Sequence, residues 1–234
     1  MANVTQARRS TVALKSAMAV SGLIMVVYLV AHMYGNLKVF NGREAFNTYA
    51  EHLRTMGEPI LPHAGALWVI RVVLTASVII HAYTAVALWR RNRASAGYVG
   101  AKRYQTTRNR LGIQRSYASF TMRWGGVTIL LFIIFHLLNL TTDDIHPGGA
   151  SPSPYDRVIN SFGVWWVVLA YTISLLAVGF HLWHGAWSAF TTLGGNHSST
   201  RRASNLNNLA IAISVILTVG FLLPPWAILF GWVG

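Results

Sequence analysis

Five long apolar stretches constrain the fold of this chain more than any other feature of its sequence. They lie at about residues 15–36, 66–89, 123–140, 162–190 and 206–232. A helix rises 1.5 Å per residue, so about 20 residues cross the roughly 30 Å hydrocarbon core of a bilayer. The stretches lack strand-like alternation and are too long for barrel strands. The sequence therefore predicts an all-α membrane protein, a single membrane domain over residues 1–234 with five transmembrane helices.

The few charged residues are unevenly distributed between the predicted loops. Charged residues make up 11% of the chain, against about 25% in a soluble domain, which argues against a soluble enzyme. Of 19 Lys and Arg residues, 12 precede the first stretch or lie in the second and fourth loops, and Lys15 and Arg123 at the adjoining ends of the first and third stretches bring that side to 14, whereas all six acids lie in the other two loops. The positive-inside rule then predicts a cytoplasmic amino terminus and an external carboxyl terminus. The net charge of +13 is a topology signal, and we expect no nucleic-acid partner.

The loops themselves carry little further information. Residues 141–157 are rich in turn formers and are predicted to be a short irregular outer loop. Residues 191–205 are predicted to be a Gly/Ser-rich inner loop. The chain contains no cysteine, which excludes disulfides, Cys-ligated zinc and an iron–sulfur cluster held by this chain.

Four of the nine histidines fall well inside predicted helices, where an ionisable side chain suggests a functional site. They are His32, His81, His136 and His181. The first and third helices run outward, which places His32 and His136 about four residues, or roughly 6 Å, below the outer boundary. The second and fourth run inward, which places His81 and His181 roughly 12–14 Å from the inner boundary. The four histidines thus form an outer and an inner layer, each with residues from two helices.

Two imidazoles at one depth suit a haem iron, which accepts one nitrogen ligand on each face of the macrocycle. Zinc would require a third protein ligand at the same level, and none is present. A proton relay usually includes carboxylates, and no Asp or Glu lies within a predicted helix. Two bis-histidine haems would leave no open iron position, which favours electron transfer. The alternative for each histidine is an interhelical hydrogen bond to a Ser, Thr or carbonyl group.

Small and basic residues near these histidines fit the same hypothesis. Ser21 and Gly22 precede His32 by about three turns, and Gly125 precedes His136 by the same interval. These small residues would make room for the inner haem. The alternative is ordinary packing of small residues between helices. Haem propionates need polar partners. The candidates for this role are Arg123, Arg71 and His184. Alternatively, Arg123 marks the cytoplasmic boundary of its helix, Arg71 extends its guanidinium to the membrane surface, and His184 packs at the interface.

The chain resembles the cytochrome b membrane anchor of succinate dehydrogenase, in the single-chain, five-helix, two-haem form also found in fumarate reductases. The resemblance rests on five segments: LVAHMYGNLKVF around His32, GREAFNTYA in the first outer loop, IIHAYTAVAL around His81, MRWGGVTILLFIIFH ending at His136, and FHLWHGAWSAF from Phe180. It implies that the four histidines are axial ligands of two haem b groups, His32 and His136 of the outer and His81 and His181 of the inner. A shift of one helical turn would exchange His181 for His184. The resemblance also matches Arg123 to the family's arginine at the start of the third helix.

The resemblance further implies an electron-transfer subunit without catalytic residues of its own. A cytoplasmic flavoprotein subunit would oxidise succinate, an iron–sulfur subunit would collect the electrons, and this chain would anchor both in a bacterial inner membrane. It would pass the electrons through its haems to a membrane quinone, with menaquinone expected. Asn36, His63 and Arg71 are the candidate residues for the quinone site. The basic residues of the second loop could also help to dock the iron–sulfur partner.

Two other function classes stay open from sequence alone. One is the cytochrome b subunit of a hydrogenase or formate dehydrogenase, against which the GREAFN segment argues. The other is a non-redox transporter whose histidines bind substrate or protons, which five helices without a carboxylate fit poorly.

Overall fold

The computed structural model describes residues 10–96, 112–194 and 200–234. Within these ranges five helices are long and apolar enough to cross a membrane. They are α1 (Thr11–Leu37), α3 (Gly65–Ala96), α4 (Gly112–His136), α6 (Trp165–Thr192) and α7 (Thr200–Leu229). Two shorter helices, α2 (Gly42–Thr55) and α5 (Pro154–Phe162), lie between them, and the described residues contain no strand. The predicted all-α membrane fold with five spanning helices is confirmed.

The long helices extend past several of the apolar stretches that predicted them. Helix α1 begins four residues early because the Ser10 hydroxyl accepts a hydrogen bond from the Ala13 amide at 3.0 Å, an N-cap that needs no apolar side chain. Helix α7 likewise begins at Thr200, so the end of the predicted inner loop 191–205 is helical. Apolar length therefore indicates the part of each helix within lipid, whereas capping and polar residues determine where the helix ends.

The predicted irregular loop 141–157 was partly wrong, because helix α5 begins within it at Pro154. Pro154 occupies the first turn, where its missing N–H leaves no helical hydrogen bond unmade. The Ser153 side chain caps the helix by accepting from the Asp156 amide at 3.4 Å. Helix α5 continues to Phe162, so the fourth spanning helix begins at Trp165 rather than 162.

Helices α2 and α5 pack against each other at one end of the bundle, which we call the capped end. The Arg43 guanidinium and the Asp156 carboxylate form an ion pair at 2.6 Å. The Asn47 side chain donates to the Ser153 hydroxyl at 3.1 Å and accepts from the Tyr155 amide at 3.2 Å. The two short helices thereby connect the segment that follows α1 to the segment that precedes α6.

Helices α1 and α6 form the centre of the bundle. Helix α1 packs against α3, α6 and α7, while α6 also packs against α4 and α7. Within the described residues, α1 with α4 and α3 with α6 are not among the helix pairs in extensive contact. Many large apolar side chains on the outer faces, such as Val27 and Trp68, are exposed. In a bilayer these side chains face lipid tails, which are as apolar as the side chains themselves.

Candidate functional site

The structure brings the four intramembrane histidines together in two pairs. The imidazole centroids of His32 on α1 and His136 on α4 lie 5.7 Å apart, and we call these residues the first pair. The centroids of His81 on α3 and His181 on α6 lie 6.1 Å apart, and these residues form the second pair. These are the same pairs that helix depth predicted. Each pair joins two helices that do not pack extensively on each other, so each pair spans a gap between helices.

The spacing of both pairs fits one metal ion between two imidazoles. With metal–nitrogen bonds of about 2 Å on each side, two coaxial imidazoles have centroids roughly 6 Å apart. The observed values of 5.7 and 6.1 Å match this distance. No group of three or more His, Cys, Asp or Glu side chains suited to a metal occurs in the described part of the chain. Each pair offers two ligands, the number that a haem iron takes from the protein in a six-coordinate site.

Aromatic side chains and one hydrogen bond surround the first pair. The Tyr28 ring stacks on His32 with centroids 5.2 Å apart and an angle of 13°, and Phe221 lies 5.7 Å from His32 on another side. The Nδ1 atom of His136 lies 3.3 Å from the Tyr171 hydroxyl. The His32 ring makes no hydrogen bond to any other described residue. One member of the pair is thus held by a polar contact and the other by ring packing.

The second pair is held by the backbone of α1. The Nδ1 atom of His81 lies 3.1 Å from the Met18 carbonyl and 3.4 Å from the Ser21 hydroxyl. Since a carbonyl only accepts, Nδ1 carries the hydrogen and Nε2 carries the free electron pair. A Cβ atom at Gly22 would lie 3.3 Å from the His81 ring, so this glycine permits the close approach of α3 to α1.

His181 contributes a buried nitrogen that has no protein partner. Its Nδ1 atom makes no hydrogen bond within the described residues. A Cβ atom at Gly126 would lie 3.9 Å from the His181 ring, whereas one at Gly125 would lie 3.8 Å from the Ala177 carbonyl. Both glycines therefore face α6. Gly126, which the sequence analysis did not single out, is the one beside His181.

His184 faces its own helix. Its Nδ1 atom donates to the Phe180 carbonyl at 2.9 Å, and its ring packs on Trp183 with centroids 4.8 Å apart. The described structure contains no ring contact between His184 and His81, whereas His181 lies opposite His81. The geometry thus selects His181 for the second pair. The interaction of His184 with a propionate stays a prediction.

The two predicted arginines each lie near the start of a candidate membrane span. Arg123 is the second residue of the candidate span Met122–Thr141, one turn before Gly126. The Arg71 guanidinium lies 5.0 Å from the centroid of the Trp68 ring, a cation–π contact within α3. Their roles as propionate partners stay predictions.

The three residues proposed for a quinone site are not joined by hydrogen bonds within the described structure. Asn36 lies one turn after His32, whereas His63 lies before α3 with Nδ1 3.1 Å from a Glu58 carboxylate oxygen. Two surface cavities of about 580 and 590 Å³ meet at Tyr49, and neither is lined by Asn36, His63 or Arg71. The quinone site therefore stays a prediction.

A buried polar cluster lies beside His136 and was not predicted from the sequence. Asn139, Tyr171 and Ser161 come from three different elements and have exposed fractions of 0%, 3% and 3%. Asn139 lies in a π-helical turn, Leu137–Thr141, that continues α4. The sequence contained a signal for this cluster. Asn139 lies three residues after His136 inside an apolar stretch, and a buried amide there needs a hydrogen-bond partner.

Comparison with known proteins identifies a family. A family model described as the succinate dehydrogenase/fumarate reductase transmembrane subunit matches residues 102–221, which is half of the chain. The matched part contains His136 and His181, while His32 and His81 precede it. No curated protein and no solved structure matches the chain.

Proposed function

Because the chain belongs to the succinate dehydrogenase/fumarate reductase transmembrane subunit family, we propose that it is the di-haem cytochrome b anchor of a succinate:quinone oxidoreductase. Family membership makes it the membrane-spanning subunit of a multi-subunit complex. The proposal adds the two haem b groups, the route of the electrons and the quinone.

The observation that carries the proposal is the presence of two histidine pairs, each spaced for one iron. His32 with His136, and His81 with His181, each span two helices at centroid distances of 5.7 and 6.1 Å. Interhelical hydrogen bonding, the alternative for intramembrane histidines, accounts for His81 and His136 but not for His181, whose buried Nδ1 atom has no partner within the described residues. A bond from Nε2 to a metal would hold the His181 ring in place without a contact at Nδ1.

The hydrogen bonds of the anchored histidines fit iron ligation at Nε2. His81 donates from Nδ1 to the Met18 carbonyl, and His136 has its Nδ1 atom against the Tyr171 hydroxyl. Imidazole ligands almost always donate their other ring N–H in this way, which fixes the tautomer and the ring orientation. These contacts leave Nε2 of each ring available to a metal.

When bound, haem supplies a one-electron carrier at each level, which lets the subunit conduct electrons across the apolar core. With one imidazole from each of two helices, each pair would hold a haem iron and would leave no position on it open to a substrate. Tyr28 and Phe221 pack against His32 and Gly126 lies beside His181, and these contacts would restrict the access of water to both pairs. For the propionates we assign Arg123, Arg71 and His184, whose polar groups lie on three of the helices that supply ligands.

We assign the remaining steps to the membrane and to partner subunits. A flavoprotein and an iron–sulfur subunit would dock on the cytoplasmic side, where the positive-inside rule puts the amino terminus. Electrons would reach a quinone in the bacterial inner membrane, with menaquinone as the candidate and Asn36, His63 and Arg71 as candidate contacts. All six acids and the capped end would then be external.

The experiment is a reduced-minus-oxidised spectrum of the purified chain with its haem content. We expect a b-type spectrum and two haems per polypeptide. Succinate-dependent reduction of menaquinone by the complex, with co-purification of a flavoprotein, separates this function from a hydrogenase or formate dehydrogenase subunit. A folded, colourless protein would refute the di-haem proposal and favour the transporter alternative.

A further inference from the structure

A chain of buried hydrogen bonds runs from His136 through three other elements of the fold. The Nδ1 atom of His136 lies 3.3 Å from the Tyr171 hydroxyl, and that hydroxyl lies 3.1 Å from Oδ1 of Asn139. Nδ2 of Asn139 lies 2.9 Å from the Ile145 carbonyl and 3.0 Å from the Ser161 hydroxyl. Such a fully connected network in a low-dielectric interior fixes the orientation of its members.

The direction of every bond follows from the Ile145 carbonyl. A backbone carbonyl only accepts, so the amide atom of Asn139 that faces it must be Nδ2. The opposite amide atom is then Oδ1, which only accepts, and the Tyr171 hydroxyl must donate its single hydrogen to it. The Tyr171 oxygen is left as an acceptor for His136. The hydrogen of the His136 ring is therefore on Nδ1, and the free electron pair is on Nε2.

We propose that Tyr171 and Asn139 are positioning residues that fix His136 in its metal-binding tautomer and tune the redox potential of the haem it holds. The proposal rests on the di-haem function proposed above. A hydrogen bond accepted from Nδ1–H raises the basicity of an imidazole ligand, which favours the oxidised iron. The network therefore holds the potential of the first-pair haem below the value it would have without Tyr171.

The second pair has only a longer side-chain contact of this kind, since the Ser21 hydroxyl lies 3.4 Å from Nδ1 of His81. His81 donates to a backbone carbonyl, that of Met18, which no substitution removes. His181 has no hydrogen bond at Nδ1 within the described residues. A substitution at Tyr171 should therefore shift one haem and leave the other unchanged.

The test is a redox titration of the purified complex that carries Tyr171→Phe. The phenylalanine keeps the edge-to-face ring contacts of Tyr171 with Phe132 and Phe162, at 5.0 and 4.9 Å, and removes only the hydroxyl. We expect both haems to be retained, the potential of the first-pair haem to rise, and the electron paramagnetic resonance signal of that haem alone to change. Tyr155→Phe is the matched control, since Tyr155 is buried in the same apolar cluster, whereas within the described residues the ring contact and the hydrogen bond of His136 with a tyrosine are both with Tyr171. Unchanged potentials and signals of both haems in Tyr171→Phe would overturn the proposal.

A second measurement decides the question if Tyr171→Phe does not fold. The wild-type protein is labelled with ¹⁵N-histidine, and its reduced, diamagnetic state is studied by NMR, with His136→Gln used to assign the signal. We expect the Nδ1–H signal of His136 to show the downfield shift of a hydrogen-bonded N–H, unlike that of His181, which has no protein partner within the described residues. Equal shifts for the two residues, or a hydrogen on Nε2 of His136, would overturn the proposal. The same spectrum can be recorded on protein that binds no haem. Absence of haem would then refute the di-haem function alone, while the tautomer would still test the network.

Discussion

The two histidine pairs have nearly the same ring spacing but are held in different ways. In the first pair His136 is held by side chains from α6 and from the π-turn, and His32 by aromatic stacking. In the second pair His81 is held by a backbone carbonyl of α1. Gly22 of α1 lies beside the His81 ring, and Gly126 of α4 lies beside the His181 ring. Side-chain hydrogen bonds can be altered by substitution, whereas a backbone carbonyl cannot. Two sites built from the same kind of residue pair can therefore differ in how far substitutions alter their geometry.

The largest effect should come from removing a ligand from either pair. We expect His136→Ala to lose the haem of the first pair and retain the other, and His181→Ala to do the reverse, because each iron needs both imidazoles. The haem content of each purified variant should fall from two to about one per chain. His146→Ala, which removes an exposed imidazole that is assigned to neither haem, is the matched control and should retain both haems. Loss of the same haem from both histidine variants would contradict the pairing.

The next largest effect should be confined to the second pair. Gly22→Val places a Cβ atom 3.3 Å from the His81 ring and adds two methyl groups beyond it. The ring must move away, so we expect partial loss of the second-pair haem with the first haem retained, measured by haem content and redox titration. Val20→Phe is the control, since Val20 is half exposed on the outer face of α1 and its enlargement should leave both haems in place.

The third effect is a loss of stability at the first pair. Asn139→Ala leaves the Tyr171 hydroxyl and the Ile145 carbonyl without their partner in a buried site, which costs about 1–3 kcal/mol. Denaturant titration of the purified protein should detect this destabilisation. Asn160→Ala removes the same side chain from an exposed hydrogen bond to the Gly149 carbonyl and should change stability far less. Equal effects of the two substitutions would show that the network does not stabilise the first pair.

The smallest effect should come from the matching hydroxyl of the second pair. Ser21→Ala removes a 3.4 Å contact to His81, but the Met18 carbonyl still accepts from the same nitrogen. We expect a change in stability below about 1 kcal/mol, since the ring stays hydrogen-bonded, and an unchanged potential of the second-pair haem. A larger effect for Ser21→Ala than for Asn139→Ala would reverse the proposed contrast between the pairs.

The spanning helices and the histidine pairs could be predicted from the sequence because each depends on a property of one segment at a time. Apolar length identifies a helix within lipid, and the direction of each span gives the depth of its histidine. Ser21 and Gly22 were also predictable as small residues at the level of His81, and the structure places both against that ring.

The remaining features depend on contacts between segments that are distant in the sequence. Tyr171 reaches His136 across 35 positions, and no periodicity within α6 distinguishes it from the other aromatic residues there. Helix α2 was not predicted because the sequence analysis assigned residues 42–55 to an outer loop. Charged and apolar residues are interspersed in this segment, and Arg43 and Asn47 contact α5 and its N-cap residue, both far away in the sequence.

The contact between α2 and α5 also has a consequence for the synthesis of the protein. Arg43 and Asp156 are separated by 113 positions, so at about 5–20 residues per second the ribosome needs roughly 6–23 s to supply the second partner. During this delay α1 and α3 can already be in the membrane, and α2 must lie at the lipid surface without α5. Its amphipathic sequence therefore has to suit two environments in turn, first the lipid headgroups and then a protein neighbour.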